Sequence, residues 1–443
     1  MAFRVPGSPV HIGRASRPAH CRSVKHPCGG LGPCCDSRPL SRDEAYRGVS
    51  RDLLGRVADI HMPDSLNAPR RSLYTKPFIL AAAATFLFFS NLNAYTLLPL
   101  YIQQLGGREG QIGTIMAMYS VAAILCQIGV GPLVDRFGRK PFIVLGAAVI
   151  TVVSTAFVFS THLTWHFYLL RFLQGLAFAG FTTSNLTLLA DLVPASRRAE
   201  AVGIFGVSGL VTIALAPAVG EAIVRALGFH VLFAGTGLLG VGTLAVCLAT
   251  EVPRPAAVES AQPLGSGFWR GFAHVMLSAF QFGLANSIAF VFLPPFARFV
   301  GLPRIAPFYV VYTVMAVAVR IFGGRLADRL ERRQVILPSL VGLSAGILLF
   351  STLHSTWMLV VIALINGTAH GFVFPATSAL AFDRAPRGAR GRALAMFNTA
   401  ILAGTTTGAI GFGWVAEYVG YRAGFVAFGL ALAAGSAVFW RKR

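Results

Sequence analysis

The chain has 443 residues, of which 55% are hydrophobic and only 12% charged, with a formal net charge of +21 and a mean hydropathy of +0.65. A soluble domain carries about 25% charged residues, so this composition excludes a water-facing globular surface over most of the chain. The positive charge suggests nucleic-acid binding at first sight, but its placement along the chain argues for a bilayer instead.

Residues 1–76 hold 13 of the Lys and Arg and four of the six cysteines. They show little helical periodicity and no apolar core of a signal peptide. They read as a disordered leader, with Met62 as an alternative native start. Cys28, Cys34 and Cys35 make no regular CxxC pairing, so no metal site and no cofactor are expected. Twelve apolar segments follow, near 78–99, 111–133, 140–160, 165–190, 199–221, 229–249, 271–295, 306–326, 334–353, 357–381, 392–416 and 422–440. Each has the roughly 20 residues needed to cross ~30 Å of hydrocarbon at ~1.5 Å per residue. The ~10-residue alternating strands of an outer-membrane barrel are excluded. Cys126 and Cys247 fall within these spans and read as packing residues. The expected fold class is an all-α membrane protein of twelve transmembrane helices. Residues 77–249 form one six-helix bundle, 250–270 a linker rich in Pro, Ala and Ser, and 271–440 a second bundle.

Beyond residue 76, with the N-terminus placed inside, 18 Lys and Arg fall in cytoplasmic loops and the C-terminus and 5 in external loops. This positive-inside asymmetry puts both termini in the cytoplasm of an inner (plasma) membrane protein. It also accounts for the basic charge without nucleic acid.

The two groups of six segments repeat each other. An offset of 192 relates Gly175 to Gly367, Pro194 to Pro386, Arg198 to Arg390, Gly228 to Gly420 and Phe233 to Phe425. An offset of 193 relates Tyr119 to Tyr312, Gly131 to Gly324, Asp135 to Asp328 and Arg136 to Arg329. At the first segment of each half it is 195, for Asn91 and Asn286, Pro99 and Pro294. An even number of helices per repeat makes the repeats parallel, about an axis along the membrane normal.

The loop after the second segment contains Gly131, Asp135, Arg136, Gly138, Arg139 and Lys140. It resembles the G-x-x-x-D-R-x-G-R-[RK] signature of the major facilitator superfamily at every defined position. A partial copy, Gly324, Asp328, Arg329, Arg332 and Arg333, stands at the matching place in the second half, with Glu331 opposite Gly138. Arg171-Phe-Leu-Gln174-Gly175 resembles the family's R-x-x-Q-G motif on the fourth helix. Ala216-Pro217-Ala218-Val219-Gly220 resembles a degraded G-P-x-x-G-G motif of family exporters, with Glu221 in place of the last Gly. The resemblance implies a latch that favours one alternating-access state, carried by the two basic loops. It also implies helix-packing roles for Gly175, Pro217 and Gly220. The cavity would be lined by helices 1, 4, 7 and 10, whose mid-depth polar residues are Asn91, Asn93, Tyr95, Arg171, Gln174, Asn185, Gln281, Asn286, Asn366 and His370. Asn91 and Asn286 read equally as cavity lining or as helix–helix hydrogen bonds.

None of the 17 acidic residues falls mid-span, so the embedded carboxylate of many proton-coupled exporters is missing. Arg171 and Arg320 stand in spans without an embedded counter-ion. Intramembrane charge is costly and marks function, so Arg171 is expected to meet an anionic or zwitterionic substrate, whereas Arg320, eight residues before Asp328, can pair near the inner end. If protons couple, Asp135, His370 or Glu417 must carry them, and His370 alone lies mid-span. The expected function is secondary active transport of a small molecule, in the export direction, by a chain that works as a monomer in the lipid bilayer. Uptake of a sugar or organic acid is the alternative. No Walker motif, HExxH or GxSxG appears, which argues against direct use of ATP or a membrane-embedded enzyme, and the leader does not look like the soluble output domain of a non-transporting membrane sensor.

Overall fold

In hydrocarbon every backbone N–H and C=O must be satisfied internally, which helices achieve within one segment. The computed structural model describes residues 75–193, 197–252, 266–324, 329–385 and 390–441, and regular structure among them is helical throughout. The expected leader, most of the linker, Pro194, Pro386 and Asp328 lie outside these residues. In the first half the helices are α1 (Lys76–Gln104), α2 (Glu109–Phe137), α3 (Arg139–Val158), α4 (His166–Leu192), α5 (Arg198–Leu227) and α6 (Phe229–Ala249). In the second they are α7 (Ser266–Phe299), α8 (Ala306–Gly323), α9 (Arg332–Phe350), α10 (Thr356–Arg384), α11 (Arg390–Val419) and α12 (Tyr421–Arg441).

Eleven of these, among the described residues, are long and apolar enough to cross a membrane. The remaining one, α4, has 27 residues, and its apolar run is broken by Arg171, Gln174, Thr182, Thr183 and Asn185. The chain is thus a multi-pass membrane protein. Two helices depart from regular α geometry. A 3₁₀ turn at Tyr95–Leu97 interrupts α1 just before Pro99, and α8 ends in a π turn at Val319–Gly323. The helix α7 begins at Ser266, ahead of the expected residue 271.

The sequence repeat is also a packing repeat. In the first half α2 packs on α4, α3 on α4 and α6, and α1 on α5 and α6. In the second, α8 packs on α10, α9 on α10 and α12, and α7 on α11 and α12. The repeat mates Gly175 and Gly367 make the same contact. Gly175 lies against the Tyr119 carbonyl and Gly367 against the Tyr312 carbonyl, each too close for a Cβ. Phe233 packs on Phe157 at 5.4 Å between ring centroids, and its mate Phe425 packs on Phe350 at 5.1 Å. Lipid gives no hydrophobic reward for helix association, so small residues that admit close approach carry these contacts.

The halves meet along two antiparallel seams, α2 with α11 and α5 with α8, which exchange under the repeat. Gly113 of α2 abuts the Ala409 carbonyl of α11. Ser120 and Thr406 share a hydrogen bond of 2.7 Å, and Thr399 donates to Gln127 Oε1 at 3.3 Å. Overpacking a tight site costs about 1–3 kcal/mol. Gly175→Ala is therefore expected to destabilise the purified protein by about that amount, read as a lower thermal midpoint. Gly235→Ala, where a Cβ meets nothing within 4 Å, should leave the midpoint unchanged.

Candidate functional site

The basic loops cluster at one face of the molecule, where α2 ends and α3 begins, and where α9 begins and α10 ends. Gly138 has φ +85°, the left-handed region that favours glycine, and it both ends α2 and starts α3. The turn expected of the signature's inner glycine is therefore present. At the matching point of the second half Glu331 is extended and its N–H donates to Gln334 Oε1 at 3.3 Å. A different cap explains why that copy of the motif lacks its glycine. Arg136 lies over the Phe137 ring, Lys140 donates to the Leu248 carbonyl at 3.3 Å, and Arg333 donates to the Phe439 carbonyl at 3.2 Å. Arg332 pairs with Asp383 at 3.6 Å, Arg139 is buried, and Arg329 is exposed. Gly131 lies inside α2 and Gly324 just beyond α8. The side chain of Asp135 is outside the described residues.

Several expected cavity residues turn into the interior of their own half. Asn91 is fully buried and donates to Ser154 Oγ at 2.9 Å and to the Thr236 carbonyl at 2.6 Å, tying α1 to α3 and α6. Tyr95 packs on Phe157 and Phe233, with its hydroxyl 3.3 Å from Thr236 Oγ1. Asn185 donates to Thr85 at 2.7 Å, and Asn93 donates to Thr212 at 2.7 Å across α1 and α5. Gln281 accepts from Ser436 of α12 at 3.3 Å. Asn366 faces Gly346 of α9 and donates to the Ile362 carbonyl at 3.0 Å. The family resemblance and depth along the span suggested these for the cavity, yet each finds its partner within one bundle, the cheaper place for an amide in hydrocarbon. Gly220 packs on Leu97 and Leu232 beside the buried Pro217.

Arg171 is 6% exposed. It donates to Gln174 Oε1 at 2.6 Å and lies 5.1 Å over the Tyr119 ring. Both contacts lie inside the first half, and its Nε finds no partner. The polar residues of the second half converge differently. Tyr312 of α8 donates to Asn286 Oδ1 of α7 at 2.7 Å, and its hydroxyl also contacts His370 Nδ1 of α10. Arg320 Nη2 stands 3.4 Å from His370 Nε2, and the guanidinium lies 5.5 Å over the Phe374 ring.

Two acidic residues, Glu221 and the candidate proton carrier Glu417, close the face opposite the basic loops in a role that the sequence reading did not give them. Glu221, at the end of α5, accepts from Ile305 N–H (3.1 Å) and Ala306 N–H (2.7 Å) at the start of α8. It also pairs with Arg225 at 2.6 Å. Glu417, at the end of α11, accepts from Gly110 N–H at the start of α2 at 2.9 Å and pairs with Arg108 at 3.6 Å. Tyr421 adds a bond to Glu109 at 3.0 Å, and Gln103 donates to Tyr421 at 3.2 Å. A carboxylate at a helix N-terminus meets free N–H groups and the positive end of the helix dipole. Each clamp joins opposite halves, and the repeat exchanges the helices of one for those of the other. On this same face the last turns of α1 contact α7. The sequence signal was present in Glu221, which looked like the decay of a glycine motif.

The sequence profile of the Major Facilitator Superfamily matches residues 79–321 and 275–443. The chain is 29% identical over 325 residues to the "Inner membrane transport protein YajR" of Escherichia coli (strain K12), covering 70% of each. It is 24% identical over 354 residues to the "Multi-drug resistance efflux pump PmrA" of Streptococcus pneumoniae (serotype 4), covering 76% of this chain and 88% of that one. Over 198 residues it is 29% identical to the "Multidrug resistance protein MdtL" of Klebsiella pneumoniae (strain 342), covering 44% of this chain and 50% of that one. In fold it is similar to a mutant of nucleoside transporter NupG, with a TM-score of 0.70 at 15% identity, covering 82% of this chain and 99% of that one.

Hydrogen bonds to charged groups contribute about 1.5–3 kcal/mol, and 1.4 kcal/mol is a factor of ten. Glu221→Ala is therefore expected to raise amide exchange at Ile305 and Ala306 at least about tenfold while sparing Gly110. Glu417→Ala should do the reverse, read by hydrogen–deuterium exchange on the full chain. The profile match spans more than half of the chain, the two bundles pack as repeats, and the signature loops stand where each half requires them: this protein is a transporter of the Major Facilitator Superfamily.

Proposed function

We propose that this transporter is a secondary active exporter of a small molecule, working by alternating access as a monomer in the inner membrane with both termini cytoplasmic. The observation that carries the reading is the pairing of two equivalent bundles along two seams, clamped by Glu221 and Glu417 at the face opposite the basic loops. With the basic face cytoplasmic, as the positive-inside asymmetry has it, the clamps belong to an external gate. Rocking of one bundle against the other about a site between them is the motion this architecture supports. The signature loops, with Asp135 and Asp328, serve as the opposing latch at the cytoplasmic face, and Gly131 and Gly324 allow its helices to approach. Each state is then held by carboxylates at one face and released by breaking them.

Export is supported by the relatives named for drug efflux and by the Pro217 motif. Gly175, Pro217 and Gly220 serve as packing points. Of the residues expected in the cavity, Asn286 and His370 keep that assignment best, because Arg320, which His370 meets, lies against Gly206 across the seam between α5 and α8. Coupling to protons is the energy source proposed, since no ATP-binding motif is present in the sequence.

Inverted membrane vesicles containing the protein, given an inward-acid pH gradient, test this. Gradient-driven accumulation of at least one compound from a panel of cationic, neutral and anionic probes is expected, several-fold above vesicles lacking the protein. Accumulation in right-side-out vesicles alone would identify an uptake permease. No movement in either orientation would remove the transport reading for the compounds tested.

A further inference from the structure

Arg320 is placed by the π turn that ends α8, a local departure often found at functional sites. Under the repeat it corresponds to Gln127 of α2, at the offset of 193. Gln127 finds a partner across its seam in Thr399 of α11. The mate of Thr399 on α5, at the offset of 192, is Val207, which offers no hydrogen bond. Beside it is Gly206, where a Cβ would meet the Arg320 guanidinium at 3.9 Å. One seam thus pairs a neutral amide with a hydroxyl. The other sets a full positive charge against a glycine. Arg320 Nε has no hydrogen-bond partner, as Arg171 Nε has none, but the Arg320 side chain is partly exposed rather than sealed in as Arg171 is.

The remaining contacts of Arg320 form a directed chain. The Tyr312 hydroxyl proton is committed to Asn286 Oδ1, so the Tyr312 oxygen can only accept from His370 Nδ1. A neutral imidazole protonated at Nδ1 then presents the Nε2 lone pair to Arg320 Nη2. The groups around His370 are Tyr312 from α8, Arg320 from the π turn, and Phe282 and Asn286 from α7. Arg320 is its charged neighbour, and no carboxylate of α9 or α11 bonds to it among the described residues. A proton on Nε2 would point a second donor at the guanidinium and put like charges 3.4 Å apart. An oxyanion that accepts from both removes that conflict once the two side chains part to admit it.

We infer that Arg320 and His370 form a binding site for an anionic group of the substrate, a carboxylate or a phosphate, and that occupation of this site is linked to protonation of His370. This rests on the transport reading and names its substrate class but not the proton carrier of an exchange, since an anion and a proton that favour each other travel in the same direction. It moves the anion contact from Arg171, which Gln174 and Tyr119 occupy, to the seam between the halves, where rocking would make and break it. Linkage requires the anion to favour the proton as much as the proton favours the anion.

Purified full-length protein is titrated calorimetrically with benzoate and with inorganic phosphate at pH 5.5 and 7.5, with benzamide and benzylamine as neutral and cationic controls. Wild type is expected to bind at least one oxyanion and neither control, with affinity rising by up to about tenfold per pH unit on acidification. Arg320→Gln should lose binding at both pH values. His370→Phe substitutes the residue's own repeat mate, Phe178, which packs on Tyr119 at the same 5.3 Å as His370 on Tyr312. It should fold, still bind, and lose the pH dependence. Thermal unfolding of each variant distinguishes lost binding from lost structure, and Arg320→Lys, which keeps the charge, should retain weakened binding. Equal binding by Arg320→Gln, tighter binding of the controls, or an unchanged pH dependence in His370→Phe would overturn the inference. Oxyanion binding without flux in vesicles would leave this site standing and remove the transport reading. Flux of neutral or cationic compounds indifferent to Arg320→Gln would do the opposite.

Discussion

A polar group inside hydrocarbon must find its partner within the protein, and this constraint orders the structure. It forces the described spans into helices and sends Asn91 across to Ser154 and the Thr236 carbonyl. It places Glu221 and Glu417 on the open N–H groups of helix starts. The groups that fail to find a full set of partners are therefore informative. Arg171 and Arg320 both have an unpaired Nε, and Arg320 in addition has a glycine opposite it across the seam.

The repeat distributes these partners unevenly. Gly175 and Gly367 meet equivalent carbonyls, and Phe233 and Phe425 meet equivalent rings, so the framework is nearly symmetric. Departures from that symmetry include Arg171 and Gln174, whose mates are Ala363 and Asn366, and three others at one seam. Phe178 becomes His370, Gln127 becomes Arg320, and Thr399 stands opposite to Val207 in the exchange. All three changes fall at the seam between α5 and α8 or beside it. The carboxylate clamps at the other end depend on the same exchange, but there both copies keep an acid on a helix start. A frame that closes symmetrically around an asymmetric interior can rock without losing its packing, while its chemistry stays in one place.

The basic loops, the signature glycine at Gly138 and the register between halves were legible because each is a local property: a charge, a backbone conformation, a spacing. The list of cavity residues was less so. Depth along a helix follows from counting residues, but the direction a side chain faces depends on which neighbour it meets. Gln281 and Asn366 sit at suitable depths, yet they turn to α12 and α9. Glu221 and Glu417 escaped notice as inter-bundle contacts because their partners are backbone N–H groups distant in sequence, which carry no residue signature.

Sequence by itself determined the membrane class, the twelve helices, the repeat and the family's signature loops, since composition, span length and periodicity follow from the bilayer's thickness and polarity. Tertiary structure alone decided what surrounds each charge. Arg171 and Arg320 look alike as lone cations in apolar spans. Only packing seals the first in beside a glutamine and a tyrosine of its own bundle and leaves the second, beside a histidine and a phenylalanine, half-buried and facing a glycine across the seam, because the energy of a buried charge depends on what surrounds it rather than on where it falls in the chain.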